Sequence, residues 1–445
     1  MEEKIVILGN GFDLRHFLPT SYNHLISILS EIEKLPEGKS NISFSDLFGK
    51  TFKEKNEWFY QKINEYYKTE NFVFDIEDIK SIKTRLKNNS WFRYFKSVDE
   101  NKIETWIDFE TEIERILISV LEYFESFNRN DFKKPNFGNI GGVSRFFIPI
   151  DLDKEYFKNK LQSSLLKSFG IFSEYDRYLI VQEKFILNIG KYIQYYKERD
   201  FFNFLYSSLE EFIGIFNDYI VIVINSFYDN FKEEMQANFI INDDIKIFSK
   251  VSRIYSFNYT NTFEKFYKVD KDKFAESLER LNINYKRVNE VEFIHGSVME
   301  NYNNLEELKI VLGVDDIHDS LKKHKLFQFT KYFQKLHKQT DYLFLKDYQV
   351  DETVVKNMEK YTFYFWGHSL DYSDRQYIRE VFDLVTKSES KIKVFYHSIS
   401  AKGDQLKNLL GIIDKEIIEN FMKDKRLEFI ESSFENLFNE LSTIS

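Results

Sequence analysis

Lys4–Leu8 (KIVIL) is an apolar, β-branched run that stops abruptly at Gly9-Asn10-Gly11. A short run with no polar side reads as a parallel strand covered on both faces. Such a strand needs partners, and comparable runs return only after residue 250: Val251–Phe257, Val291–His295, Lys309–Gly313, Thr362–Gly367, Lys391–Tyr396 and Arg426–Ile430. Helical spacing follows the first run at Tyr22–Ile32, and lies among the later ones at Thr262–Tyr267, Asp374–Val385 and Gly403–Ile413. Strand–helix alternation implies parallel strands joined by right-handed crossovers. The expected fold class is therefore α/β: a Rossmann-like parallel sheet built from both chain ends. Residues 1–40 and 245–445 make that part, and residues 41–244 form a mainly helical insertion. Within it, Trp106–Phe127 and Tyr178–Phe231 show helical periodicity, with Gly190 and Gly214 their only glycines and no proline. Residues 128–150, dense in Gly, Pro and Asn, read as a long loop.

Charge narrows the function. With 62 Lys+Arg against 72 Asp+Glu the net charge is −10, which argues against binding nucleic acid through bulk electrostatics. The absence of cysteine excludes disulfides, thiolate metal sites and a cysteine nucleophile. The 47 Phe and 28 Tyr fit the codon bias of an AT-rich genome, though such rings also anchor cores and interfaces. The opening MEEKIVILGNGFD lacks the apolar length of a signal peptide. The most apolar later stretch, Tyr219–Phe227, is too short to span a bilayer and follows Asn217 and Asp218. A soluble cytoplasmic protein is expected, with self-association left open.

Ligands of open parallel sheets bind where strands end, so the residues after each strand matter most. Gly9-Asn10-Gly11-Phe12-Asp13 follows the first. A glycine turn opening onto a helix lets backbone N–H groups reach a phosphate, but Leu14 stands where the dinucleotide fingerprint has its third glycine, and a plain tight turn is the alternative. Asp13 suits either a ribose hydroxyl or a helix cap. Asn258-Tyr259-Thr260-Asn261 follows the second strand; capping accounts for Thr260 or Asn261 but not for Asn258 at the strand end. His295-Gly296 offers a general base with open backbone beside it, or a histidine satisfied by a carbonyl. Asp315 and Asp316 could hold a metal or a ribose, but without other ligand-spaced residues they read first as a solvated loop. Gly367-His368-Ser369-Leu370-Asp371 departs from the hydrolase nucleophile elbow at Asp371 and fits a nucleotide-contacting loop, with Ser373 or Asp374 capping the next helix. Of Asp108 and Glu110, two apart on a helix, at most one faces a site, whereas Asp108 and Glu112 could share a face.

The stretches ILGNGFDLRHFLPTSY, SFNYTNTFE, FIHG, VLGVDD and WGHSLDYSDRQYI, together with WIDFE at Trp106–Glu110, resemble the AbiH family of bacterial abortive-infection proteins. A more distant resemblance is to sirtuin-like NAD-binding domains. On that likeness Gly9, Asn10, Gly11 and Asp13, with Gly367 and Ser369, would contact the cofactor, while Asn258 and His295 would be catalytic. Thr260 or Asn261 stands where sirtuins have Asp, and the zinc-binding cysteines are absent, which turns the expectation from deacylation to simple NAD cleavage. The resemblance thus implies an anti-phage effector with NAD as substrate or ligand, no metal, and a phage-derived or host trigger. The alternative is a protein that senses a nucleotide or ADP-ribose while its helical region engages a partner. A nuclease using Asp315 and Asp316 is the weakest reading.

Overall fold

Six strands form one sheet: β1 (Glu2–Leu8), β2 (Val251–Ser256), β3 (Val291–Phe293), β4 (Lys360–Trp366), β5 (Lys391–Tyr396) and β6 (Leu427–Glu431). The computed structural model describes residues 2–98, 106–128, 135–149, 165–235, 251–267, 291–340, 344–348 and 360–442. The expected boundary at residues 244–245 lies outside them. Spatial order is β3-β2-β1-β4-β5-β6, and every pair is parallel. This is the doubly wound order, with its reversal between β1 and β4. The sheet is thus built from both ends of the chain, as the split of apolar runs requires.

The helices that matter below are α1 (Asn10–Arg15), α2 (Tyr22–Lys34), α3 (Trp106–Asn128), α4 (Glu198–Asp218), α5 (Thr262–Tyr267), α6 (Lys331–Lys338), α7 (Arg375–Thr386) and α8 (Ile399–Leu410). Pleating sends alternate residues of β1 to opposite layers. Ile5 and Ile7 pack with Tyr377 and Val381 of α7, while Val6 and Leu8 pack with Leu437 and Leu441. These four residues are at most 1% exposed, which is why Ile5–Leu8 contains no polar residue.

The intervening segment is less helical than its periodicity predicts. Residues 136–149 are a hairpin, Asn136–Ile140 against Val143–Pro149, and not a loop. Gly141 and Gly142 supply the two positive-φ residues of its turn. Phe172–Tyr175 and Tyr178–Val181 extend it to four antiparallel strands, and Ile186–Ile189 pairs with Tyr192–Tyr196. Helix begins only at Glu198, within the stretch read as helical from Tyr178. The aromatic and β-branched residues there suit strands, with Ile193 and Tyr196 buried and Tyr192 and Tyr195 exposed. Helix α2 also departs from the expected division: Leu25, Ile28 and Ile32 join Ile82 and Leu86 in the intervening segment's core, as does the stretch Val298 to Phe329.

Lys309–Leu312 forms no strand. The Val311 N–H donates to the His295 carbonyl at 2.9 Å, and side chains take other backbone groups in place of a ladder. Gln334 accepts from the Leu312 N–H and donates to its carbonyl, both at 3.0 Å, and Tyr259 donates to the Val311 carbonyl at 2.8 Å.

At the reversal point two loops touch backbone to backbone. Gly9 N–H donates to the Trp366 carbonyl at 3.0 Å and Gly11 N–H to the Gly367 carbonyl at 2.8 Å. A Cβ on Gly9 or Gly11 would stand 2.6 or 2.8 Å from the Gly367 oxygen. Gly367 itself has φ +67°, and a Cβ there would collide with the Phe12 nitrogen. Gly367→Ala should lower the unfolding free energy by about 3 kcal/mol through strain and overlap. Gly403→Ala, inside α8 with open space around it, should raise stability by about 0.5–1 kcal/mol. Urea denaturation of both variants reads this directly; a Gly367→Ala midpoint equal to wild type would show that the loops do not need their contact.

Candidate functional site

The polar residues at the carboxyl edge of the sheet are buried, and they form two adjoining groups. In the first, Asp13 of α1 is 1% exposed and accepts a hydrogen bond from Thr260 Oγ at 2.7 Å. Thr262 donates in turn to Thr260 at 2.9 Å, and the Tyr228 hydroxyl lies 2.9 Å from Thr262. Burial raises the Asp13 carboxyl to about 6, although hydrogen bonding from Thr262, Thr260 and Asn258 pulls it down. Thr260 therefore serves Asp13 with its hydroxyl. Asn258 is 5% exposed; its N–H donates to Ser256 Oγ at 3.1 Å, while its Oδ1 is buried without a hydrogen-bond partner.

The second group surrounds Asp374, at the start of α7. His295 Nε2 lies 3.4 Å from Asp374 Oδ1, His368 Nε2 3.6 Å from Oδ2, and Lys331 Nζ 3.7 Å from Oδ1. His368 Nδ1 accepts the Leu370 N–H at 3.0 Å, so its neutral ring carries the proton on Nε2, toward Asp374. Burial alone would raise the Asp374 carboxyl, but Lys331 and the two imidazoles outweigh it and hold it below its ordinary value. Burial lowers both histidines, reinforced at His295 by Lys331, so both are neutral at pH 7. Asp374 makes no side-chain cap to α7, and Asp371 accepts the Ser373 N–H at 2.9 Å.

Glu110 reaches this group from α3. Its Oε1 lies 2.8 Å from Lys331 Nζ, and its Oε2 is buried without a partner. Burial pushes the Glu110 carboxyl up to about 7 against the pull of Lys331. Burial would lower the Lys331 ammonium, but Glu110 and Asp374 more than offset this and keep it charged. Helix α6 carries Lys331 on an inverted face. Lys331, Gln334, Lys335 and Lys338 are buried, whereas Tyr332, Phe333 and Leu336 are exposed. Lys335 donates to the Tyr377 hydroxyl.

Of the residues singled out from sequence, Asn258, Asp13 and His295 are therefore buried at this edge, and Gly9, Gly11 and Gly367 form the seam beside them. The Gly9 and Gly11 amides are directed to carbonyls of the facing loop and not outward. Asn10 Oδ1 accepts from Thr20 Oγ at 2.8 Å. Ser369 is exposed, with its carbonyl accepting from Asn408 at 3.0 Å. The space beside Gly296 is filled by the Lys309 backbone. Asp108 and Glu112 do not join the group: Glu112 pairs with Arg115 and Tyr94, and of the acidic helix start only Glu110 turns inward. Asp315 and Asp316 diverge, to Arg375 and to Lys322 at 3.1 Å. The residues missed from sequence are Lys331, His368 and Asp374. The signal for Lys331 was the Lys331, Gln334, Lys335, Lys338 stripe at helical spacing, flanked by apolar residues where charge would be expected.

These features define an α/β protein of doubly wound strand order, with a buried polar cluster at its reversal point and a carboxylate supplied by the intervening segment. The chain matches the family model described as Bacteriophage abortive infection AbiH over residues 5–396. It belongs to that family, and its role is in bacterial abortive infection against phage. The match ends at Tyr396, the last residue of β5, and β6 lies beyond it. No curated protein and no solved structure matches the chain. Among the described residues, no helix is long and apolar enough to cross a membrane.

The buried histidines make stability depend on pH. Burial lowers His16 to about 3 and His24 to about 4, and it also lowers His295 and His368. Below about pH 6.5 the unfolded chain protonates these four more readily than the folded chain, so each makes acid cost stability. Glu110 and Asp13, raised to about 7 and about 6, act in the opposite sense, since the folded protein takes up their protons first. His16 and His24 each contribute a loss of up to about 1.4 kcal/mol per pH unit between about pH 6 and 5. His24, packed against Phe52 and Phe59, is the simplest to isolate. His24→Phe should reduce that slope by about 1.4 kcal/mol per pH unit in urea titrations; an unchanged slope would mean that His24 is already charged in the folded protein.

Proposed function

We propose that this abortive-infection protein binds NAD or a related nucleotide at the reversal point and cleaves the bond between nicotinamide and ribose. One observation carries the reading: polar atoms of Asp13, Asn258, His295, Glu110 and Asp374 are buried at one sheet edge without hydrogen-bond partners. Unsatisfied buried groups are costly and rare, and a ligand that completes them accounts for their retention. The strand order supports the location, because ligands of doubly wound sheets lie outside the carboxyl ends at the reversal.

The chemistry follows from the groups present. Heterolysis of the N-glycosidic bond releases neutral nicotinamide and leaves an oxocarbenium-like ribose. Water attacks that carbon and loses a proton. His295, neutral because it is buried, accepts the proton at Nε2, and Asp374 at 3.4 Å stabilises the imidazolium that results. Asn258 Oδ1 accepts a hydrogen bond from the attacking water. The products are nicotinamide, ADP-ribose and one proton. The lowered basicity of His295 favours a second reading, a site that binds the nucleotide as a signal without turning it over.

Mass spectrometry of NAD and nicotinamide in phage-infected cells tests the proposal. Wild-type cells should lose NAD and accumulate nicotinamide. His295→Ala and Asn258→Ala, at equal folded level, should slow this at least about 100-fold, the usual scale for removing a general base. Protection by the wild type with NAD unchanged would refute cleavage and leave the sensing reading. NAD loss undiminished in both variants would refute the site.

A further inference from the structure

We infer that the buried part of this site selects its ligand by hydrogen-bond donors: it takes the hydroxyl- and carboxamide-bearing riboside end of a nucleotide and leaves the phosphates outside. The inference rests on the proposed nucleotide reading and specifies which part of the molecule is recognised.

The argument is an imbalance between donors and acceptors. Asp13 Oδ1, Asn258 Oδ1 and Asp374 Oδ1 are acceptors, buried, and without a hydrogen-bond partner; Glu110 Oε2 is equally buried and unpartnered and accepts when its carboxyl is ionised. His295 Nε2 is the fifth such atom, and it accepts in one of its two neutral tautomers. The donors nearby are engaged. Thr260 donates to Asp13, Lys331 to Glu110 and Lys335 to the Tyr377 hydroxyl. The backbone amides that a phosphate would need are committed too: Gly9 to Trp366, Gly11 to Gly367 and Leu370 to His368 Nδ1.

A phosphate offers only acceptors and negative charge, so inside this cluster it would satisfy none of these acceptor oxygens, and Lys331, the cation among them, already faces Glu110 and Asp374. A vicinal diol and a primary carboxamide offer O–H and N–H groups, and bonds from these to buried carboxylates belong to the stronger class. Glu110 gives the arrangement a second consequence. One of the acceptors comes from α3, so the selectivity is set jointly by the sheet edge and the intervening segment.

The test uses the full-length protein, with calorimetric binding and nicotinamide release measured for NAD, nicotinamide riboside, nicotinic acid riboside and inorganic pyrophosphate. Nicotinamide riboside should bind within about tenfold of NAD, and nicotinic acid riboside at least about tenfold more weakly than nicotinamide riboside, because a carboxylate replaces the donating amide. Pyrophosphate should not displace NAD. Binding of NAD with riboside binding about 100-fold weaker, or displacement of NAD by pyrophosphate, would overturn the inference and leave NAD cleavage standing. Riboside and NAD binding without nicotinamide release would support the inference and refute cleavage. Failure of both to bind would overturn both.

Discussion

Everything at the functional edge depends on two loops lying closer together than side chains permit. The turn after β1 and the turn after β4 meet through Gly9, Gly11 and Gly367, with two backbone hydrogen bonds across the seam. Those strands come from opposite ends of the chain and adjoin at the reversal of strand order. The seam fixes where α1 starts, which aims Asp13 at Thr260. It also fixes where the Gly367–Asp371 loop runs, which turns His368 toward Asp374. The short glycine turn, read from sequence as a phosphate cradle or a plain turn, is thus first a packing device.

The charges around Asp374 follow from that geometry. Isolated charges this deep would neutralise by shifting their pKa, and the pattern shows which ones do. Asp374 and Lys331 stay charged because each faces opposite charge or an imidazole N–H. The histidines give up their protons, and Glu110, with one oxygen unpaired, is held near the midpoint of its titration. Helix α6 exists in its inverted form for the same reason. Its lysine stripe has carboxylates, carbonyls and a tyrosine hydroxyl to meet inside, which no solvent-facing arrangement would provide.

How much of this was legible depends on whether the determinant was local. Five of the six late apolar runs became strands, because a covered parallel strand announces itself by composition alone. Lys309–Leu312 did not, since side chains of Gln334 and Tyr259, remote in sequence, satisfy its backbone. The hairpin at residues 136–149 was hidden by its Gly-Gly turn inside a cluster that reads equally as loop. Asn258 and His295 could be named because they sit at strand ends. Lys331 could not: a lysine in an amphipathic helix reads as solvent-facing until its buried partners, Glu110 and Asp374, are brought to it from residues far away in the chain. His368 and Asp374 lay within a segment already noted, but their roles depend on each other across the loop.

The aromatic excess takes on a structural meaning at the same place. A buried ion pair such as Lys331–Glu110 adds little net stability, because desolvating both ions consumes most of their attraction. It cannot be what holds α3 over the sheet edge. Rings do that. Trp106 donates to the Thr20 carbonyl at 3.0 Å and packs at 5.0 Å on Phe216, which meets Tyr259 edge-on at 5.2 Å, beside His295. Tyr219, where α4 passes into a π-helical turn, donates to the Pro19 carbonyl at 2.6 Å. Each ring combines large apolar burial with one directed polar atom, which suits a contact that must be both strong and registered. Composition drift in an AT-rich genome could supply Phe and Tyr anywhere. The rings between α3, α4 and the loop after β2 join the intervening segment to the sheet edge that Glu110 reaches.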